Sequence, residues 1–103
     1  MDKRTVVNSF AQMRSIIIKD IQKLPDDEWY QAFFSVPKGK EKEYLNAAQS
    51  DADIRNALGD RRLTVHIHYN GFTHKESLDV FIDMTEAERV ALIDWHNRAP
   101  GGC

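Results

Sequence analysis

The stretch RRLTVHIHYNGFTHKESLDVFIDM, residues 61 to 84, limits what this chain can fold into more than any other segment. Leu63, Val65, Ile67 and Tyr69 alternate with Thr64, His66 and His68, and Leu78, Val80, Ile82 and Met84 alternate with Asp79, Phe81 and Asp83. Period-two alternation sends successive side chains to opposite faces, so the spacing predicts two β-strands, about 62–69 and 78–84, paired as an antiparallel hairpin. Two registers compete. A tight Asn70-Gly71 turn would pair Tyr69 with Phe72 but set Val65 beside Glu76 and Ile67 beside His74. With residues 70–77 as a loop, Leu63 meets Met84, Val65 meets Ile82, Ile67 meets Val80 and Tyr69 meets Leu78, and one face is apolar throughout. Register follows the buried face, which favours the second arrangement.

Elsewhere the periodicity is helical. Over residues 5–24, Val6, Phe10, Met13, Ile17, Ile21 and Leu24 recur in steps of three and four, and Ile16 and Ile18 widen the stripe, as expected for a helix central to the core or to a dimer seam. Pro25 ends it. Asp26, Asp27 and Glu28 then suit the start of a second helix, on which Trp29, Tyr30, Phe33 and Phe34 form a broad aromatic face. Pro37 and Gly39 mark a basic loop with Lys38, Lys40 and Lys42. It lacks the glycine and Ser/Thr spacing of a phosphate-binding loop. Residues 42–60 read as helix, broken at Ser50, which has Asp53 three residues on, and stopped at Gly59. Thr85 and Glu88 form a capping box that opens a C-terminal helix, about 86–98. The expected fold is α+β: one small domain over 1–103, three or four helices around an antiparallel hairpin, with 99–103 as a flexible tail.

At 103 residues, with 42% hydrophobic and 29% charged residues, the chain matches an ordinary globular domain with one modest core. No run approaches the roughly 20 apolar residues of a membrane span, and the N-terminus lacks the apolar segment of a signal peptide, so a cytoplasmic protein is expected. The single cysteine, Cys103, follows Pro100 and two glycines, and one cysteine cannot close an internal disulfide.

The histidines raise the question of chemistry. In the preferred register His68 faces Asp79, His66 faces Phe81 and Thr64 faces Asp83, all on the face away from the apolar row. Two imidazoles on one strand side with a nearby carboxylate can ligate zinc, but alternation alone gives this spacing and no further histidine sits at a diagnostic offset. No nucleophile elbow, Cys/His arrangement or nucleotide fingerprint occurs. The expectation is a chain without catalytic residues, metal ligands or cofactor.

The same face carries Phe81, too large to leave bare, beside His and Asp groups, a mixture suited to recognising protein. An isolated hairpin is also marginal, and its edges invite pairing. The leading expectation is therefore a small inhibitor, adaptor or regulator that binds another protein, through Trp29, His66, His68, Asp79, Phe81, Asp83 and Glu86. Glu76, Asp79, Asp83, Glu86, Glu88 and Asp94 against Arg89 make that surface acidic, suited to a basic, nucleic-acid-handling partner; a homodimer is a further option. The alternative is direct DNA binding. Helices followed by a hairpin and a helix match the element order of winged-helix proteins, with Lys38, Lys40, Lys42, Arg61 and Arg62 as phosphate contacts. Its weakness is charge: the net value is −2, and Asp79 and Asp83 on the wing would repel phosphate.

Overall fold

The computed structural model describes residues 4–98. The elements run β1 (Arg4–Val6), α1 (Phe10–Lys23), β2 (Tyr30–Ser35), α2 (Glu41–Ser50), α3 (Ala52–Leu58), β3 (Leu63–Asn70), β4 (Lys75–Ile82) and α4 (Glu86–Arg98). The α+β class holds, with four helices and one mixed sheet of order β1-β2-β4-β3. The tail expected over 99–103, with Cys103, lies outside the described residues.

Two expectations change at the N-terminal half. Thr5 and Val6 belong to β1, which pairs parallel with Phe33–Ser35, and the helix starts only after Ser9, whose Oγ accepts from the Gln12 N–H at 3.2 Å. Ser9 is in extended backbone, so the apolar stripe cannot run back to Val6 as a helix. The second helix is instead strand β2. The spacing of Trp29, Tyr30, Phe33 and Phe34 satisfies a two-residue period as well as a helical one. In the strand, Ala32 and Phe34 are buried while Gln31 and Phe33 point the other way. Aromatic residues suit a pleated surface, and the hairpin needs a strand to pair with β4.

The hairpin closes in a register between the two expected ones. Leu63 faces Ile82, Val65 faces Val80 and Ile67 faces Leu78, and pairing continues to Tyr69–Glu76 and Asn70–Lys75 around a loop of residues 71–74. The apolar row stays matched, as the buried-face argument required. Met84 is left out because β4 ends at Ile82. The Asn70 carboxamide oxygen accepts from the N–H groups of Phe72 and Thr73, at 2.9 and 3.2 Å, and holds the loop shape. His74 closes it with φ 56, a left-handed value. Because every register considered differs by an even number of residues, the face assignment of each side chain is unchanged.

All three of α1, α2 and α3 cover one face. Met13, Ile17 and Ile21 of α1, with Tyr44, Ala48 and Ile54 of α2 and α3, pack on Phe34, Val65, Leu78, Val80 and Ile82 of the sheet. The break between α2 and α3 is made by Asp51, whose Oδ1 accepts from the Ile54 N–H at 2.9 Å; the Ser50 hydroxyl donates back to the Asn46 carbonyl instead. Gly59, at φ 64, ends α3. α4 is different: it buries no residue and exposes Val90, Leu92, Ile93 and Trp95. Its link to the body is at its start, where the Thr85 N–H bonds the Asp26 carbonyl at 3.0 Å. Among the described residues no helix is long and apolar enough to cross a membrane.

Candidate interaction surface

Since α1, α2 and α3 occupy one side, the outward side chains of β2, β4 and β3 form a continuous surface on the other, and among the described residues no helix buries a side chain against it. The register sets them in rows: Gln31, Phe81 and Thr64, then Phe33, Asp79 and His66, with Ser77 and His68 after them. Trp29, just before β2, lays its ring 5.8 Å from that of Phe81, tilted by 30°. Phe33 and His68 meet edge-to-face at 5.5 Å, and Ser77, directly opposite His68, is buried. Between these two aromatic contacts, Gln31 Nε2 donates to both carboxylate oxygens of Asp79, at 3.0 and 3.1 Å. The result is an aromatic patch at each end and a polar cluster in the middle.

Five of the seven expected partner residues, Trp29, His66, His68, Asp79 and Phe81, therefore share this surface. Their neighbours differ from the sequence expectation, because the register moves His66 opposite Asp79, His68 opposite Ser77 and Thr64 opposite Phe81. Asp83 and Glu86 sit apart, at the junction of β4 and α4, and are already paired. Arg89 lies 2.9 Å from Glu86 and 4.0 Å from Asp83, and Arg62 lies 3.6 Å from Glu86. The hydrogen bond from Arg89 holds the Glu86 carboxyl below the usual carboxylate range. Asp94 pairs with Arg98 at 3.2 Å. Three of the six acids from 76 to 94, Asp83, Glu86 and Asp94, are thus paired with arginines, so the acidic charge is partly offset.

A helix after Pro25 places Phe33 on an aromatic face with Trp29, Tyr30 and Phe34 and gives Gln31 no role, whereas the strand sets Gln31 and Phe33 together on the sheet surface. The signal that exposes them is the alternation Tyr30, Ala32, Phe34 against Gln31, Phe33, read at a two-residue period.

The cations of the DNA-binding alternative are dispersed. Arg61 is buried, with Nη2 donating to the Leu24 carbonyl at 2.7 Å and to Asp26 at 3.2 Å, so it serves the fold. Arg62 pairs with Glu86, and Lys40 lies 3.6 Å from Glu43. The hairpin that would act as a wing is half of the sheet, and α2 and α3, the helices just before it, bury Tyr44, Ala48 and Ile54 in the core. Lys38 and Lys42 remain exposed.

Among the described residues no three His, Cys, Asp or Glu side chains are grouped to hold a metal ion. His74 is hydrogen-bonded through Nδ1 to the Tyr69 hydroxyl at 2.8 Å, and His96 packs on Trp95 at 5.2 Å. Comparison with protein-family models, curated proteins and solved structures returns no match.

Proposed function

We propose that this chain is a non-catalytic protein-binding module, a small inhibitor, adaptor or regulator that acts on a larger protein through the open face of its sheet. The observation that carries the reading is the Trp29–Phe81 pair on the sheet face opposite α1, α2 and α3, where Trp29 is 56% exposed. A large aromatic group standing on a rigid sheet loses little conformational entropy on binding and presents much apolar area, which is the character of interface anchors. The polar centre adds direction: the Asp79 carboxylate, oriented by Gln31, accepts hydrogen bonds from a partner, and His66 and His68 offer ring nitrogens beside it. The matching partner surface is an apolar pocket for Trp29 and Phe81 with donors set beside it. We place this action in the cytosol, in keeping with a chain whose single cysteine allows no internal disulfide.

The test is affinity capture from lysate after nuclease treatment, with the wild-type chain beside Trp29→Ala, Phe81→Ala and Asp79→Lys. A protein retained stoichiometrically by wild type and lost from all three variants supports the reading. Equal retention by the variants overturns it.

A further inference from the structure

A second surface lies at the loop end of the hairpin, beyond the aromatic and polar rows of the open face. After Ser35 the chain leaves the sheet toward α2, while β3 and β4 run on together to Asn70–Lys75. The divergence opens a cleft of about 920 Å³ between β1, the 36–42 segment and the extended hairpin. Four cations from four separate parts of the chain line it: Arg4 of β1, Lys38 of the loop, Lys42 of α2 and Lys75 of β4. Among the described residues none of them has a carboxylate within 4.0 Å. Among the described residues two acids, Glu41 and Glu76, line the same cleft against four cations, so its lining is locally positive in a chain of net charge −2. Convergence of unpaired cations against the overall charge costs repulsion that an anionic ligand would relieve.

We propose that this cleft binds single-stranded nucleic acid, with the four cations on its phosphates and the hairpin tip on its bases. The cleft is far larger than one phosphate needs, and its cations come from four separate parts of the chain, which suits a run of phosphates. Val36 and Ile67 also line it, giving apolar surface that unpaired bases can reach and a duplex cannot. The tip supplies the stacking groups. Phe72 is 99% exposed, and the loop that carries it is held by the Asn70 side chain. Tyr69, 56% exposed, is fixed through its hydroxyl to His74. Exposed rings beside a cationic groove are the combination that non-specific strand binding uses. The cleft meets the protein-binding face at Ser77, but Trp29, Asp79 and Phe81 do not line it, so either reading can fail without the other.

The experiment is fluorescence anisotropy of the full chain with a labelled oligothymidine of about 20 nucleotides, run in parallel with a duplex, a poly-glutamate peptide and anionic phosphatidylserine vesicles. The expected result is preference for the single strand, with log K falling against log salt at a slope of about −2 to −3, since each single-strand phosphate neutralised contributes about −0.7. Lys38→Gln, Lys42→Gln and Lys75→Gln each flatten that slope by about 0.7. Phe72→Ala weakens binding roughly tenfold and leaves the slope in place. Phe81→Ala, on the other surface, binds as wild type does. Circular dichroism confirms that each variant is folded, as their exposed positions lead one to expect. Absence of single-strand binding at low salt overturns the proposal, as does a slope indifferent to the three lysines. Equal or tighter binding of duplex, peptide or vesicles also overturns it and reassigns the cleft to that ligand.

Discussion

The guanidinium of Arg61, at the entrance to the hairpin, lies 2.7 Å from the carbonyl oxygen of Leu24, at the end of the first helix. The two residues are far apart in the chain, and this bond ties the α1–β2 connection to the start of β3. The Arg61 side chain is only 5% exposed, whereas its second partner, Asp26, is 80% exposed. Removal of the buried donor leaves a part-buried carbonyl without a partner, while removal of the exposed carboxylate leaves most of the bond energy in place. Arg61→Ala is therefore expected to cost about 2–4 kcal/mol and Asp26→Ala less than about 1 kcal/mol. Urea denaturation midpoints measure both, and equal costs for the two variants would contradict this account.

Tyr30 gives the fold an alkaline limit. Its ring is turned to the helical side, where the hydroxyl donates to the Asp20 carboxylate at 2.5 Å. Burial first, and then the Asp20 hydrogen bond and charge, push the hydroxyl well above the ordinary tyrosine range. Between the unfolded value, near about 10, and the higher folded one, the unfolded chain releases a proton that the native chain keeps. Stability is accordingly complete below about pH 10 and declines as pH rises further. Tyr30→Phe should flatten this part of the profile, provided the other tyrosines are followed by phenolate absorbance. An unchanged alkaline slope in Tyr30→Phe would refute the assignment.

α4 is expected to tolerate changes that no core helix would. It buries none of its residues, and its apolar groups Val90, Leu92, Ile93 and Trp95 point in several directions. Ile93→Asp and Trp95→Ser should shift unfolding free energy by no more than about 0.5 kcal/mol. By contrast Ile17→Ala, in the fully buried stripe of α1, should cost about 2–5 kcal/mol. Thermal melts of the three variants check the contrast, and a large loss from Trp95→Ser would mean that α4 packs on the body after all.

On the open face, the effect of Phe81→Ala should fall on partner binding rather than on folding. Phe81 is half-buried and its ring lies against that of Trp29, so truncation costs the fold some contact while removing the base on which Trp29 rests. A loss of about 2 kcal/mol or more in partner affinity is expected, roughly thirtyfold in Kd. Isothermal titration with the captured partner, beside a denaturation curve of the variant alone, separates the two effects.

Much of this architecture is legible in the residues. The alternation of Leu63 to Tyr69 and of Leu78 to Ile82 marks both hairpin strands, and their apolar row decides which face is buried even though the register slips. The C-terminal helix is marked by Thr85 and by the Pro100-Gly101 stop. β2 was not legible, because four aromatic residues spaced at i, i+1, i+4 and i+5 fit a helix and a strand alike, and what separates them is a distant partner, β4. β1 is three residues long, too short to carry a period. For the surface, His66, His68, Asp79 and Phe81 follow from the hairpin alone. Gln31 and Phe33 depend on the missed strand, and the gathering of Arg4 and Lys75 with Lys38 and Lys42 depends on where β2 leaves the sheet, which no local pattern records.

The position of β4 at the centre of the sheet has a consequence for how the chain acquires its structure. β4 forms a local hairpin with β3, but β2 can find it only across the whole of α2, α3 and β3, and β1 has no place until β2 is docked. Closing that long loop carries an entropic cost that the hairpin alone does not repay. During synthesis α1 and β2 leave the ribosome first and stay without a sheet to join until residues 75–82 follow them. Assembly of the sheet is thus held back until β4 is made, and Phe33, Phe34 and Trp29 pass that interval in water, where a chaperone would meet them first.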